Sequence, residues 1–251
     1  MNYIEYGKEN RDAIILLHGG GLSWWNYKKA AEILRTKYYV ILPMLDGHAN
    51  SDKEFTSIED NAAEIIEFID MKFNGSVLMI GGLSLGGQIL LEILSQRKNI
   101  CKYAIVESAL VVPSRLTYSL IKPTIKICYG LIRYKWFSKL QFKALRINPI
   151  YFDDYYRDSC DITKENMIAF LEANSLYRLK ESIRDCVVEI HICVGAKENC
   201  LMRKSASIIH KILKKSSLEV FPKMYHGDLS INHADIYVSK IVSILKQECF
   251  L

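Results

Sequence analysis

Gly82-Leu83-Ser84-Leu85-Gly86 follows the apolar run Val77-Leu78-Met79-Ile80 and opens a helix-forming stretch. A serine at so tight a strand-to-helix turn is pushed into a strained backbone conformation, and glycines two residues to either side relieve the crowding. The turn also sets backbone N–H groups at a helix N-terminus, where fixed donors can stabilise a developing oxyanion. The hydroxyl itself needs a base beside it to become a good nucleophile. The pentapeptide alone arises by chance in roughly one chain in ten or twenty of this length, and serine is also a good helix N-cap. Its meaning therefore depends on what surrounds it.

Outward from this turn, apolar runs bounded by turn residues recur at 13–17, 38–42, 77–80, 103–106, 187–194 and 218–221, and they read as strands buried on both faces. Helical patterns lie between them at 27–35, 58–71, 85–96, 202–214 and 235–246. Such alternation predicts an α/β fold, with a mostly parallel central sheet flanked by helices. The alternation breaks between about 110 and 185, where aromatic and basic residues dominate and no clear strand is visible. That segment predicts a helical cap at 110–185, inserted into a core made of 1–109 and 186–251. Within it, Pro123 predicts the start of a helix, because proline suits a first turn. Ile121, Ile125, Cys128 and Ile132 would share one face of that helix, with Lys122, Lys126 and Arg133 as a neighbouring stripe.

Composition narrows the class. A chain of 251 residues, half of them hydrophobic, can bury a sizeable core and is neither disordered nor fibrous. The first residues lack a basic region followed by an apolar stretch, and no run of 18 apolar residues occurs, so neither a signal peptide nor a spanning helix is expected. Seven cysteines without a CxxC pair suit reduced thiols, and the expected location is cytoplasmic. The histidines and cysteines lack ligand spacing for a metal, and no cofactor is expected. A net charge of +5 is too small to argue for nucleic acid. Its distribution says more, because no acidic residue falls between Glu107 and Asp153, where Arg115, Lys122, Lys126, Arg133, Lys135, Lys139, Lys143 and Arg146 all lie. The plain reading is that these cations face water. The alternative is that they act with Tyr118, Tyr129, Tyr134, Trp136, Phe137 and Phe142 to favour anionic or lipid-like substrates, or weak contact with an acidic membrane surface.

In an α/β sheet ligands bind beyond the carboxyl ends of the strands. The first run ends in His18-Gly19-Gly20-Gly21, the third in the Ser84 turn, the fifth in Gly195-Ala196-Lys197-Glu198 and the sixth in Met224-Tyr225-His226-Gly227-Asp228. With the order serine, acid, histidine, the chain resembles the α/β-hydrolase superfamily over nearly all of its length outside the insertion. The resemblance implies Ser84 as nucleophile, His226 as general base and Glu198 as the acid that orients it. It also implies an oxyanion hole formed by the N–H groups of Leu85 and Gly20.

The sequence departs from the family's commoner pattern at three places: glutamate replaces the usual aspartate at 198, Met44 and Ala49 alter the loop Pro43 to Ser51, and Ala234 stands where a proline often follows the histidine. Glu107 also follows a predicted strand and stays open as the acid, with local motif and order favouring Glu198. His233 lies in the following helical region and is a weaker base candidate than His226. His18 and His48 are expected to orient loops, His191 and His210 to be structural or exposed, and Asp228 to serve a turn. The implied activity is hydrolysis of a carboxylic ester or related acyl bond of a small or lipid-like substrate through a Ser84 acyl-enzyme. Thioester, amide or C–C bond cleavage by the same machinery, or a non-catalytic ligand sensor on the same fold, are the alternatives.

Overall fold

The computed structural model describes residues 1–246. Seven strands form one sheet: β1 (Tyr3–Tyr6), β2 (Ala13–Leu17), β3 (Tyr39–Pro43), β4 (Val77–Leu83), β5 (Cys101–Glu107), β6 (Glu189–Gly195) and β7 (Ser216–Phe221). Their spatial order is β1-β3-β2-β4-β5-β6-β7, with β1 antiparallel to β3 and every other pair parallel. This is a mostly parallel sheet flanked by helices, the α/β class the sequence predicts. The six predicted strands are present, with ends that coincide or shift by up to three residues. β1 was not foreseen. Its four residues are all half-buried and it pairs on one side only, so it lacks the continuous apolar run that marks the inner strands.

Alternation along the strands divides the core in two. Ala13, Ile15 and Leu17 of β2 pack with Ile58, Ile65 and Ile89 on one face, whereas Ile14 and Leu16 pack with Ala30, Tyr237 and Ile241 on the other. The first face is covered by α2 (Ile58–Phe73), α3 (Leu85–Gln96) and α8 (Cys200–Ile212), the second by α1 (Lys28–Leu34) and α10 (Ala234–Lys246). α2 starts where Ser57 accepts a hydrogen bond from Asp60 N, and ends at Asn74 in the left-handed region.

Between β5 and β6 the chain leaves the sheet for a helical insertion made of α4 (Arg115–Cys128), α5 (Lys135–Ala144), α6 (Phe152–Asp161) and α7 (Lys164–Leu176), with short 3-10 turns between the first three. Pro123 does not start a helix. α4 begins eight residues earlier, where Ser114 caps it by accepting from Thr117 N, and Pro123 lies in its interior on the exposed side. The ring removes one helical donor, and Ser119, whose carbonyl would have accepted from it, is an exposed residue, which makes an interior proline tolerable there.

Polar contacts seat the insertion on the core. Trp25 Nε1 donates to Asp158 Oδ2 at 3.0 Å, and Gln88 Nε2 donates to the carbonyls of Leu110 and Asn174 at 2.7 and 3.0 Å. Among the described residues, no helix is long and apolar enough to cross a membrane, and no group of three or more His, Cys, Asp or Glu side chains could hold a metal ion. Six cysteines are free thiols; the seventh, Cys249, lies outside the described residues.

Candidate active site

The strand order reverses between β2 and β4: from β2 the chain passes to β3 on one side and returns to β4 on the other. At such a switch point the segments leaving two neighbouring strands diverge and open a crevice. Register then decides which residues meet there. Leu17 lies opposite Gly82, Gly82 opposite Val106, Val106 opposite Ile192 and Ile192 opposite Leu218. One step past this row are His18, Leu83, Glu107 and Cys193, and a little further along the same edge stand Gly20, Ser84, Glu198 and His226.

Ser84 occupies the turn between β4 and α3 with φ 53° and ψ −111°, a sparsely populated conformation for a residue with a side chain. Its hydroxyl does not cap α3, so the ordinary helix-capping role does not explain the serine. Its N–H is held by the carbonyl of Glu107 at 2.9 Å. Glycine is required at Gly86 because a Cβ there would collide with the carbonyl oxygens of Leu17 and His18; α3 thus starts directly against the end of β2. Leu85 N is the first helical N–H of α3 and has no intrahelical acceptor. Gly20 packs against Leu85, so that an added Cβ would lie 3.5 Å from Leu85 Cβ and 3.6 Å from Phe170 Cδ2. The glycine segment is anchored by Gly19 N donating to Asn26 Oδ1 at 3.2 Å, and by Leu22 N donating to Gly19 O at 3.1 Å.

His226 and Glu198 come together from the ends of β7 and β6. Ala196 N donates to Phe221 O and Lys197 N to Met224 O, each at 2.9 Å, which staples the two turns side by side. Gly227 takes φ 73°, turning the chain from His226 into the short helix α9 (Asp228–Ile231). Across this arrangement His226 Nδ1 lies 2.8 Å from Glu198 Oε2. Glu198 Oε1 accepts from Gly195 N at 2.8 Å and from Ser108 Oγ at 2.7 Å. Burial pushes the Glu198 carboxyl up, but the hydrogen bond and charge of His226, with the Gly195 and Ser108 donors, outweigh it and hold the group below the usual glutamate range. An ionised carboxylate can only accept, so His226 Nδ1 carries the shared proton, and in the neutral ring this leaves Nε2 as the acceptor.

Glu107 is placed differently. It is fully buried at the end of β5; Oε1 accepts from Ser230 N at 3.3 Å, and Oε2 has no partner among the described residues. Burial raises its carboxyl to about 7, with the Glu198 charge pushing the same way and the Ser230 donors and His226 charge opposing. The structure thus brings Glu198, not Glu107, into contact with the imidazole.

Of the other histidines, His18 and His48 hold loops. His18 Nε2 accepts from Leu45 N at 3.2 Å, leaving Nδ1 as the donor to Gly19 O at 2.9 Å. Burial, aided by the His48 charge, drops His18 to about 3. His48 Nδ1 bonds Asp46 O at 3.0 Å, and its ring stacks on Phe170 with centroids 4.5 Å apart. His233 sits at the start of α10, its carbonyl accepting from Ile236 N and Tyr237 N. His191 and His210 pair with the hydroxyls of Ser217 and Ser216. Asp228 Oδ2 accepts from Tyr225 N at 2.6 Å, the turn role expected of it.

Ser84, Glu198, His226 and Gly20 line one cavity of about 450 Å³. The insertion supplies most of its wall: Ile125 and Cys128 from α4, Tyr155 from α6, and Met167, Phe170 and Leu171 from α7. At its rim Arg146 lies over the Tyr225 ring, 4.0 Å from the centroid. Sequence reading missed Ser108, although it stands just past β5 where the strand-end rule already pointed. It also missed Asn232, which ties the insertion to the His226 turn: Nδ2 donates to Arg146 O at 2.9 Å and to Asp228 Oδ1 at 2.6 Å, and Oδ1 accepts from Asn148 N at 2.9 Å. No sequence signal marks an asparagine for such a bridge.

Solved structures share this fold. An esterase from Thermogutta terrifontis superposes with a TM-score of 0.80 at 15% identity, covering 98% of this chain and 93% of that one. An enol-lactonase from Burkholderia xenovorans LB400 gives 0.83 at 14%, covering 98% and 96%. An esterase from Exiguobacterium antarcticum gives 0.79 at 19%, covering 97% and 94%. At such identities the likeness is one of fold. Among curated proteins none matches this sequence. Residues 8–230 match the family described as "Serine aminopeptidase, S33". With that match spanning most of its length and the hydrolase sheet around it, the chain belongs to this family of the α/β-hydrolase superfamily.

Proposed function

We propose that this hydrolase cleaves carboxylic esters with an apolar acyl group, through a covalent intermediate on Ser84. Ser84 Oγ attacks the carbonyl carbon while His226 Nε2 takes its proton. The oxyanion of the tetrahedral intermediate accepts hydrogen bonds from Leu85 N and Gly20 N. Collapse expels the alcohol, which leaves with the proton held by His226, and an ester of Ser84 stays behind. A water molecule then gives its proton to His226, attacks the same carbon, and releases the acid and the serine. Glu198 keeps the imidazole in the productive tautomer and stabilises its cationic form. Residues 110–185 act as the cap that encloses the acyl group.

One observation above all supports this reading: the buried, charge-retaining contact of Glu198 with His226 Nδ1, on the same apolar cavity as a serine in a strained turn. The family's description invites peptide cleavage from an amino terminus as a second reading. Binding a substrate ammonium group calls for a free carboxylate, since a buried charge must be paired. Among the described residues lining the cavity the only carboxylate is Glu198, engaged with His226, while Arg146 and Lys197 stand at the rim as cations. That charge pattern favours a neutral or anionic ester.

The test is a series of p-nitrophenyl esters from acetate to dodecanoate beside aminoacyl p-nitroanilides. The expected result is kcat/KM rising with acyl length and no turnover by Ser84→Ala. Faster cleavage of the anilides, or no ester hydrolysis by folded protein, would overturn the assignment.

A further inference from the structure

Helix α4 has two apolar sides. Its inner side buries Ile121 and turns Ile125 and Cys128 to the cavity. Its outer side carries Leu116, Leu120, Pro123 and Ile127, spaced four, three and four residues apart, which on a helix is a single narrow stripe. That stripe faces water: Leu116 is 72% and Ile127 76% exposed. α5 repeats the pattern with Trp136, 63% exposed, and Leu140 four residues on. Scattered exposed leucines need no explanation, but two successive helices that each carry an exposed apolar stripe do.

Charge says what covers them. Arg115, Lys122 and Lys126 run along one flank of the α4 stripe, and Lys139 and Lys143 lie beside that of α5. Lys122 pairs with Glu172 at 3.3 Å, whereas Arg115, Lys126, Arg133 and Lys143 have no carboxylate within ion-pair distance among the described residues. With no acidic residue between Glu107 and Asp153, a second copy presenting the same face would bring like charges together. A nucleic-acid surface would need cations at the centre of the patch, and here the centre is aliphatic with an indole. A band of apolar and Trp side chains edged by Lys and Arg is the arrangement of a helix lying in the plane of a bilayer surface.

We infer that α4 and α5 dock this protein on membranes containing anionic lipid, with Leu116, Leu120, Ile127 and Trp136 entering the acyl boundary and Lys126, Arg133 and Lys143 meeting the headgroups. The inference stands on the outer faces of the two helices and does not need the ester-hydrolase assignment. If that assignment holds, α4 separates the bilayer from the cavity and takes up apolar esters from the lipid phase.

The experiment is co-sedimentation with vesicles of phosphatidylcholine alone and of phosphatidylcholine mixed with phosphatidylglycerol. Catalysis plays no part in the readout, so its outcome is separate from that of the ester assay. Wild-type protein is expected to partition onto the anionic vesicles, weakly onto the neutral ones, and less as salt rises. The variant Leu120→Glu/Ile127→Glu should lose about tenfold in partitioning, with circular dichroism and thermal midpoint unchanged because both positions are exposed. Trp136→Ser/Leu140→Ser and Lys126→Glu/Arg133→Glu provide independent checks if the first pair disturbs folding. No partitioning by the wild type, equal partitioning onto both vesicle types, or folded variants that bind as the wild type does would each overturn the proposal. So would a dimer in sedimentation velocity that the Leu120→Glu/Ile127→Glu change dissolves.

Discussion

Replacing Glu198 by glutamine tests the proposed catalytic geometry with little change of shape. Oε1 accepts from both Gly195 N and Ser108 Oγ, so the new side-chain amide must put its oxygen there and turn its NH2 toward His226. The NH2 group can only donate, so His226 Nδ1 must become the acceptor, and the imidazole proton moves to Nε2. The ring is then held in the tautomer that cannot take a proton from Ser84. Loss of the correct tautomer in such a triad costs about 10⁴ in kcat, roughly 5.5 kcal/mol of transition-state stabilisation. Two of the three hydrogen bonds survive, so the cost in stability is only about 1 to 3 kcal/mol, and the variant stays folded for assay. Steady-state hydrolysis of a chromogenic ester at neutral pH, with a thermal melt beside it, gives both numbers. Glu107→Gln provides the contrast and should leave kcat within a few-fold of wild type. Retention of more than about a tenth of kcat by folded Glu198→Gln, or an equal loss in Glu107→Gln, would refute the reasoning. The Glu198 carboxyl is held below its ordinary range, so the stability it contributes is present above that range and is lost as pH falls through its folded value. The stability gap between wild type and Glu198→Gln should therefore close on acidification.

Ser84→Gly should be more stable than Ser84→Ala by about 1 kcal/mol, because only glycine relieves the strain at φ 53°; both lack the proposed nucleophile, and a urea midpoint lower for the glycine variant would contradict the strain argument. Glu107 has its carboxyl raised from 4.5 to about 7, so ionising it opposes folding; that penalty is absent below pH 4.5 and grows until about pH 7. Glu107→Gln should therefore match wild-type stability in acid and exceed it at pH 8 by about 3 kcal/mol, as judged from denaturant curves at the two pH values. Asn232→Ala removes the hydrogen bonds to Arg146, Asn148 and Asp228. It should cost about 1 to 2 kcal/mol and raise KM more than it lowers kcat, because it frees the insertion from the His226 turn without touching Ser84. An unchanged KM would show that the bridge does not position the cavity wall.

The sequence makes the inner strands and the Ser84 turn legible for one physical reason. A strand buried on both faces must be apolar throughout, and a chain turning sharply from strand to helix must use glycine where backbones touch. Both demands leave local marks, as in Ala13–Leu17 and at Gly86. β1 leaves none, since an edge strand with half-buried side chains meets weaker demands. Pro123 misled because proline is favourable in a first turn yet tolerable inside a helix where the residue that loses its donor is exposed, and only packing tells the two apart. Strand-end position treated Glu198 and Glu107 alike. What separates them is three-dimensional: the stapled turns after β6 and β7 carry Glu198 over to His226, while Glu107 points at α9. Ser108 and Asn232 act through contacts 90 and 86 residues away in the chain, respectively, which no local pattern encodes.

The central claim is that Ser84 is a nucleophile activated by His226, and covalent capture tests it most directly. Purified protein is treated with a fluorophosphonate, and the adduct is read by intact mass and peptide mapping in the wild type, Ser84→Ala and His226→Ala. The account expects one adduct per chain, on Ser84, absent from Ser84→Ala and strongly slowed in His226→Ala. A wild-type protein that is folded yet takes no label, or one whose label maps to another residue, would contradict it.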